Sequence, residues 1–583
     1  MGRGGLGGHA AAQGGLQSQE LAAHGGPPVA IATRSPRTSK RVERFDVVVV
    51  GSGFGGSVAA CRLAEAGRSV LVLERGQPWP PGSFPRTPHA MRSAFWEPAA
   101  GRHGLFEVLS FSGLDAVVAS GVGGGSLIYA NVMLRKDPDT FVREDLDDGG
   151  RERWPIGYDE LEPYYERAEA MQGATPYPYD SAKTLALLEA ARAVGMPAER
   201  PPLAIAFAAA PGAQPAPREP LRDARPNLHD APRSTCRLCG ECDLGCNDGA
   251  KQTVDFTYLS AAARAGAGVR ACCEVFGLEP LPDGGWAVRY EQHLEARDGH
   301  REQLLDPSPD RRRTVHAARV VLAAGTFGST RLLLRNRASL PRLSPRLGRG
   351  FSGNGDLLAF VRDAGRALHP SQGPVITASV RVPGAQARHG RELLVQDAGA
   401  PAFTEWMWQA LEVPEDLWGM RRTIARRLRD RLRGRRDTSL GAELSEAFGT
   451  ARMSAAMMPM LAMGRDVPDG RITLRGDALE LDWSDRPSAG YFDDAEDAMS
   501  TLAAAMGGHR RGALGRLVTA HPLGGCGMGA TPAEGVVDEW GQVFGCPGLH
   551  VADGSIMPGP VGANPSLTIA ALSERIAERM AAA

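Results

Sequence analysis

Nowhere in the 583 residues do about 18 or more apolar residues run together, so no membrane-spanning helix is expected. Net charge is equally scarce. Sixty-six Lys and Arg face 67 Asp and Glu, leaving a formal −1 and no general attraction to nucleic acid. Any basic feature must therefore be local. The first 44 residues lack both an apolar h-region and adjacent twin arginines, so no export signal is expected there. They are rich in Gly, Ala, Pro and Gln, a composition that cannot bury enough surface to offset its entropy, and a disordered extension is expected. Without an export signal the reducing cytoplasm is the expected compartment. Clustered cysteines there suggest a metal or redox centre more than disulfides.

The composition, 43% hydrophobic and 23% charged, is that of a globular chain, and its length exceeds one ordinary core. No internal repeat is visible. Order begins at Phe45. The β-branched run to Val50 suits a strand buried on both faces. It runs into Gly51-Ser52-Gly53-Phe54-Gly55-Gly56, a helical pattern to Gly67, and a second strand from Ser69 to Leu73 that ends at Glu74. Gly51, Gly53 and Gly56 form G-x-G-x-x-G between strand and helix. The first allows the tight turn, the second the approach of a pyrophosphate, and the third close helix–strand packing. The helix N-terminus offers free N–H groups to phosphates, and Glu74 can accept ribose hydroxyls. The fold class expected is α/β with a Rossmann-type nucleotide domain. Further strands are expected at Val269 to Phe276 and at Val320 to Ala323.

The motif alone does not separate FAD from NAD; other segments do. Gly121-Val122-Gly123-Gly124-Gly125-Ser126-Leu127 resembles the second glycine segment of the glucose–methanol–choline (GMC) oxidoreductases, and Ala323 to Thr330 resembles that family's second signature. His521-Pro522-Leu523-Gly524-Gly525, Val551-Ala552-Asp553-Gly554-Ser555 and Asn564-Pro565-Ser566-Leu567-Thr568 resemble its C-terminal flavin segment. The five matches occur in the family's order. They imply FAD, held by Gly51, Gly53, Gly56, Glu74, Gly121, Gly124, Gly125, Ser126, Asn131, Val275, Ala324, Gly325, Asp553, Gly554 and Pro565. They also imply a discontinuous substrate-binding domain built around a β-sheet. FAD-binding parts are expected at 45–150, 226–335 and 510–583, with substrate-domain parts at 151–225 and 336–509.

Within the family the resemblance is to cholesterol oxidases and their bacterial relatives, through Val122 to Leu127, Lys251 to Asp255, Tyr258-Leu259 and His521 to Cys526. It implies oxidation of an apolar alcohol, a sterol or a long-chain alcohol, with O₂ or an electron carrier as acceptor. His521 matches the family histidine that takes the hydroxyl proton, and Asn564 matches the partner orienting the same oxygen. The chain departs from the pattern twice. Asn131 follows Tyr129-Ala130, further from Ser126-Leu127 than the family's Asn-Gly. Gln396-Asp397 falls where cholesterol oxidases isomerise the steroid with a Glu, which puts that half of their chemistry in question. Two other classes stay open: a flavin- and metal-carrying electron-transfer protein without alcohol chemistry, and a lyase using FAD structurally.

Two further features stand apart. Cys236, Cys239, Cys242 and Cys246 follow C-x₂-C-x₂-C-x₃-C, the spacing of bacterial ferredoxin runs, although Asn247 replaces the usual Pro. An iron–sulfur cluster competes here with a structural zinc and a metal-free loop; Cys272 and Cys273 are candidates for an extra ligand. Met420 to Arg436 carries nine arginines with Met420, Ile424, Leu428 and Leu432 at four-residue spacing, downstream of Trp406, Trp408 and Trp418. Such a helix either packs by its stripe as an ordinary solvated helix or lies on an anionic membrane surface.

Overall fold

The computed structural model describes residues 42–144, 151–222, 226–293, 311–401, 456–512 and 516–582. The N-terminal extension through residue 41 and the arginine-rich segment 420–436, with its upstream tryptophans, lie outside the described residues. Among the described residues no helix is long and apolar enough to cross a membrane.

Val47 to Val50 and Val70 to Leu73 are apolar at every position and buried throughout, which only a sheet covered on both faces allows. They belong to β1 (Glu43–Val50) and β2 (Val70–Leu73), joined by α1 (Phe54–Glu65) and paired in parallel with Val47 opposite Val70. The sheet has seven strands. Its order is Gly268–Arg270, β2, β1, Arg312–Leu322, Trp286–Gln292 and Cys273–Pro280, with Leu549–Val551 parallel to the end of Arg312–Leu322. This is the Rossmann-type α/β arrangement expected.

Two strand expectations need correction. Val269 to Phe276 is not one strand: Gly268–Arg270 pairs with β2, and Cys273–Pro280 pairs antiparallel with Trp286–Gln292. The break is at Ala271-Cys272, where Cys272 has φ 59°, but both residues are buried, so hydrophobicity runs on through the turn. The strand at Val320 starts much earlier, at Arg312; its first half is largely polar and partly solvent-facing, which hides it from a hydrophobic pattern.

The C-terminal helix Ser566–Ala582 packs on α1. Ser573 Oγ donates to the Gly55 carbonyl at 2.6 Å, and buried Glu574 accepts from Arg62 Nε at 2.7 Å and Tyr258 Oη at 2.8 Å. The last 17 residues of described helix thus close over the nucleotide-binding helix.

A second, antiparallel sheet has six strands in the order Ala198–Glu199, Ser379–Val382, Leu393–Asp397, Met458–Gly464, Leu357–Arg362 and His509–Gly512. Val380, Val395, Met460 and Ala462 pack under the helices Ala182–Ala193 and Ala489–Ala505. Leu394 and Met463, on the other face, join the core of the first sheet. That face looks toward the nucleotide side. Alternation along each strand makes the two faces separable from residue number alone.

Lys183 and Asp397 form an ion pair with both side chains fully buried, and Lys183 Nζ also donates to the Val375 carbonyl at 2.8 Å. The Asp397 carboxylate accepts in turn from the Thr377 and Ala378 amides at 2.7 Å. Lys183→Met should strip that carboxylate of its counter-charge and cost ~3–5 kcal/mol of stability. A lowered melting temperature measures it; an unchanged one would show the pair to be dispensable.

Candidate active site

The carboxyl ends of the parallel strands converge, and there the backbone is too close for side chains. A Cβ on Gly51 (φ 96°) would run into the Ala323 carbonyl oxygen, one on Gly56 into the Gly51 carbonyl oxygen, and one on Gly55 into that of Ala552. A Cβ on Gly124 would stand 2.6 Å from the Gly53 Cα, so the two glycine segments meet backbone to backbone there, and Ser52 Oγ also ties them by accepting from the Gly123 amide at 3.0 Å. Where side chains of Gly125 and Gly325 would project, the space is open. The result is a cradle of exposed backbone at the N-terminus of α1, the place where an open α/β sheet binds a dinucleotide.

Glu74 ends β2, buried. Its Oε2 accepts from the Ser52 amide at 2.9 Å and the Ser52 hydroxyl at 2.7 Å, and its Oε1 accepts from the Gly76 amide at 2.8 Å. Burial nevertheless raises its pKa. One acceptor site on Oε1 remains for a ribose hydroxyl. Val275 lies two residues beyond Cys273, whose N–H donates to the Glu74 carbonyl at 2.7 Å. Asp553 is fully engaged by protein: Oδ2 takes the Gly325 amide and Ser329 hydroxyl, and Oδ1 takes the Ser555 amide and hydroxyl. It ties the Ala324-Gly325 turn to the Gly554 turn. Ser126 donates to the Gly123 carbonyl at 2.7 Å and accepts from the Val254 amide, which shapes the segment after Gly121. Pro565 precedes the C-terminal helix and its carbonyl accepts from the Ile569 amide at 2.9 Å.

Asn131 supplies the test of cofactor fit. It is fully buried at φ 70°, and neither its amide oxygen nor its nitrogen has a partner. Leaving a buried polar group unsatisfied costs about 1–3 kcal/mol. A flavin ring edge, with donors and acceptors side by side, would satisfy both atoms. The cradle and Asn131 together fit FAD.

His521 follows a strand, Leu517–Thr519, and its Nδ1 pairs with Asp356 Oδ1 at 2.8 Å. Asp356 Oδ2 accepts from the Thr519 hydroxyl and the Ala520 amide, both at 3.0 Å, and Thr519 Oγ1 accepts from the His521 amide at 2.9 Å. Ring and backbone are thus held by one carboxylate, leaving Nε2 as the free edge. Burial lowers the His521 pKa, but the Asp356 carboxylate, with help from Asp243, more than reverses it, and the net direction is up.

Asn564 sits after a loop clamped from beneath. Asn354 Oδ1 accepts from the Val561 and Gly562 amides at 2.9 and 3.0 Å, and its Nδ2 donates to the Ala563 carbonyl at 2.9 Å. Lys136, fully buried against Trp154, donates to the Pro560 carbonyl at 2.8 Å. Buried Asp466 takes the Ser352 hydroxyl and the Gly353 amide, and burial pushes its pKa up to about 7. One segment, Ser352 to Asp356, therefore holds both His521 and the Asn564 loop.

Cys236, Cys239, Cys242 and Cys246 line one pocket together with Arg86, Arg237 and Lys251. Burial raises the thiols of Cys236, Cys239 and Cys242, the last to about 12. Lys251 Nζ donates to the carbonyls of Leu127, Tyr129 and Cys242 at 3.0, 2.8 and 2.9 Å, joining this loop to the second glycine segment. Among the described residues, however, no group of three or more His, Cys, Asp or Glu side chains could hold a metal ion. Cys272 and Cys273 are buried at the strand break beside Glu74 and Gly76 and do not line the pocket.

Comparison with known proteins bears on this geometry. A "GMC oxidoreductase" family model matches residues 492–573, and an "NAD(P)-binding Rossmann-like domain" model matches residues 49–78. The chain is 31% identical to a cholesterol oxidase of Mycobacterium tuberculosis (strain ATCC 25618 / H37Rv), over 91% of this chain and 90% of that one. The chain belongs to the GMC oxidoreductase family. A cholesterol oxidase of Acinetobacter baumannii is 28% identical over 91% of this chain and 93% of its own length. Paromamine 6'-oxidase of Streptomyces fradiae is 28% identical over 92% and 91%. The crystal structure of pyridoxine 4-oxidase from Mesorbium loti superposes with TM-score 0.56 at 19% identity, over 92% of this chain and 98% of that one, a likeness of fold. This GMC oxidoreductase is an FAD-dependent enzyme acting on CH–OH donors.

Asn354, Asp356, Lys136 and Gly55 were not among the residues singled out from the sequence. Ser-Gly-Asn-Gly-Asp at 352–356 carries a visible turn signal, but such signals are common and this one lies outside the five family segments. For this GMC oxidoreductase, Gly124→Val should abolish FAD binding by forcing the two glycine segments apart. Flavin absorbance of the purified, folded variant measures it; stoichiometric flavin would contradict the cradle.

Proposed function

We propose that this GMC oxidoreductase oxidises an apolar alcohol, a 3β-hydroxysteroid or a long-chain alcohol, to a carbonyl compound. The observation that carries the apolar character is the sheet face over the site. Gln396, which touches Asn564, stands opposite Leu461, and Leu394, Met463 and Leu358 share its face by register. A substrate beneath that face meets mostly hydrocarbon.

The proposed division of labour follows from the geometry. Nε2 of neutral His521 accepts the hydroxyl proton, while Asp356 keeps the other proton on Nδ1 and faces the imidazolium that forms. Asn564 hydrogen-bonds the same substrate oxygen. FAD, when bound, supplies the acceptor for the hydride. O₂ or an electron carrier would then reoxidise it. A substrate that never reduces the flavin would instead favour the lyase alternative.

His521→Ala should slow anaerobic flavin reduction by substrate by ~10²–10⁴, with FAD content unchanged. Because the neutral ring is the base and Asp356 holds its pKa up, kcat/KM should rise with pH through that ionisation. Asp356→Asn should lower the rate and move the inflection to lower pH, since the anion opposing deprotonation is gone. Wild-type rates in His521→Ala, or an unmoved inflection in Asp356→Asn, would contradict these roles.

For the cysteine run we propose an iron–sulfur cluster as the reading to test, supported by the ferredoxin-like spacing and by the single pocket shared by all four thiols. Ligands of a cluster bind different irons and stand further apart than ligands of one ion, so the lack of an ion-sized group does not oppose it. Anaerobically prepared protein should contain iron and acid-labile sulfide, lost on Cys239→Ser. Protein with neither leaves a metal-free loop.

A further inference from the structure

On the sheet face above the site two buried polar residues, Ser379 and Gln396, stand directly opposite one another on adjacent strands, while Arg381, next along that face opposite Leu394, is exposed. Both are buried, and both carry an atom without a partner, Ser379 Oγ and Gln396 Oε1. The other end of Gln396 is engaged. Its Nε2 donates to Asn564 Oδ1 at 3.0 Å. Asn564 is itself 6% exposed on a backbone clamped by Asn354, so its side chain has little freedom except to rotate its amide end for end.

That rotation matters because the two ends of an amide have opposite polarity and nearly the same shape. With Oδ1 committed to Gln396, only the NH₂ of Asn564 is left for a substrate oxygen. A donor there stabilises the negative charge that builds as the hydroxyl proton departs. Turned round, the Asn564 carbonyl would compete with His521 for the same proton. We propose that Gln396 is a positioning residue that sets the polarity of the Asn564 amide, holding its NH₂ toward the substrate oxygen. This rests on the role given to Asn564 above. A neutral amide at 396 can donate at every pH. A carboxylate there could donate only while protonated; once ionised it would draw the Asn564 NH₂ to itself and turn the carbonyl toward the substrate.

The test is Gln396→Glu, a change of nearly equal shape, read as the ratio of variant to wild-type flavin-reduction rate in anaerobic single turnover across pH. The charged groups around this end of the sheet (His521, Asp356, Asp243, Lys136 and the Lys183–Asp397 pair) are common to both proteins, so their titrations largely cancel in the ratio. The ratio should be about 100-fold down at high pH and recover toward unity as pH falls, with FAD content unchanged. In an Asn564→Ala background the same substitution should give a ratio, against Asn564→Ala alone, that does not vary with pH. Gln396→Met should slow reduction at all pH values with little change in KM, and should add nothing to Asn564→Ala. A pH-independent ratio in Gln396→Glu, wild-type rates in Gln396→Met, or pH dependence that persists in the Asn564→Ala background would overturn the proposal. Wild-type reduction by Asn564→Ala alone would instead overturn the underlying role of Asn564.

Discussion

Asn354 and Asp356 stand two residues apart, and everything at the proposed reaction centre hangs from that short span. Asn354 takes three backbone groups of the loop before Asn564, and Asp356 takes the ring of His521 together with the backbone that carries it. Two glycine- and proline-rich turns that are 43 residues apart in sequence are thereby registered against one another by a third segment. Loops alone would not hold a base and a hydrogen-bond donor to the tolerance that proton transfer needs. The segment is pinned in turn by Asp466, so the chain of constraint runs from a buried carboxylate through a turn to the catalytic pair.

The nucleotide side works on a different principle. There the critical contacts are backbone on backbone, and glycine is required because nothing else is small enough. Gly51 meets Ala323, Gly55 meets Ala552 and Gly124 meets Gly53, so strand ends from four separate parts of the chain share one crevice. The acidic side chains nearby act as ties. Glu74 joins the end of β2 to Ser52, and Asp553 joins two turns through four donors. Burial works against the charge of both carboxylates, and the hydrogen bonds they accept work for it.

Between these two regions lies the cysteine loop. Lys251 fastens it to the second glycine segment, Gly240 and Gly373 pair it with the strand-bearing side, and Asp243 contributes charge felt by His521. Its chemistry therefore bears on the site whether or not it carries a cluster, because displacing the loop would disturb both the cofactor cradle and the field around the base.

The sequence by itself determined the nucleotide-binding unit and the order of the flavin segments. Those features are local: a β-branched strand, three glycines at fixed spacing and an acidic residue after the next strand each follow from short-range sterics. His521 and Asn564 came forward through the resemblance of the short segments that carry them to those of the GMC family. Only the tertiary structure decided what holds them. Asp356, Asn354 and Lys136 act across 165, 207 to 209 and 424 residues of chain respectively, and no periodicity or motif near them announces a partner so far away. The break at Ala271-Cys272 escaped for a related reason, because burial continued through it while direction changed. The meeting of Gln396 with Asn564, 168 residues apart, likewise depends on one sheet being laid over another, and that packing is a property of the whole core.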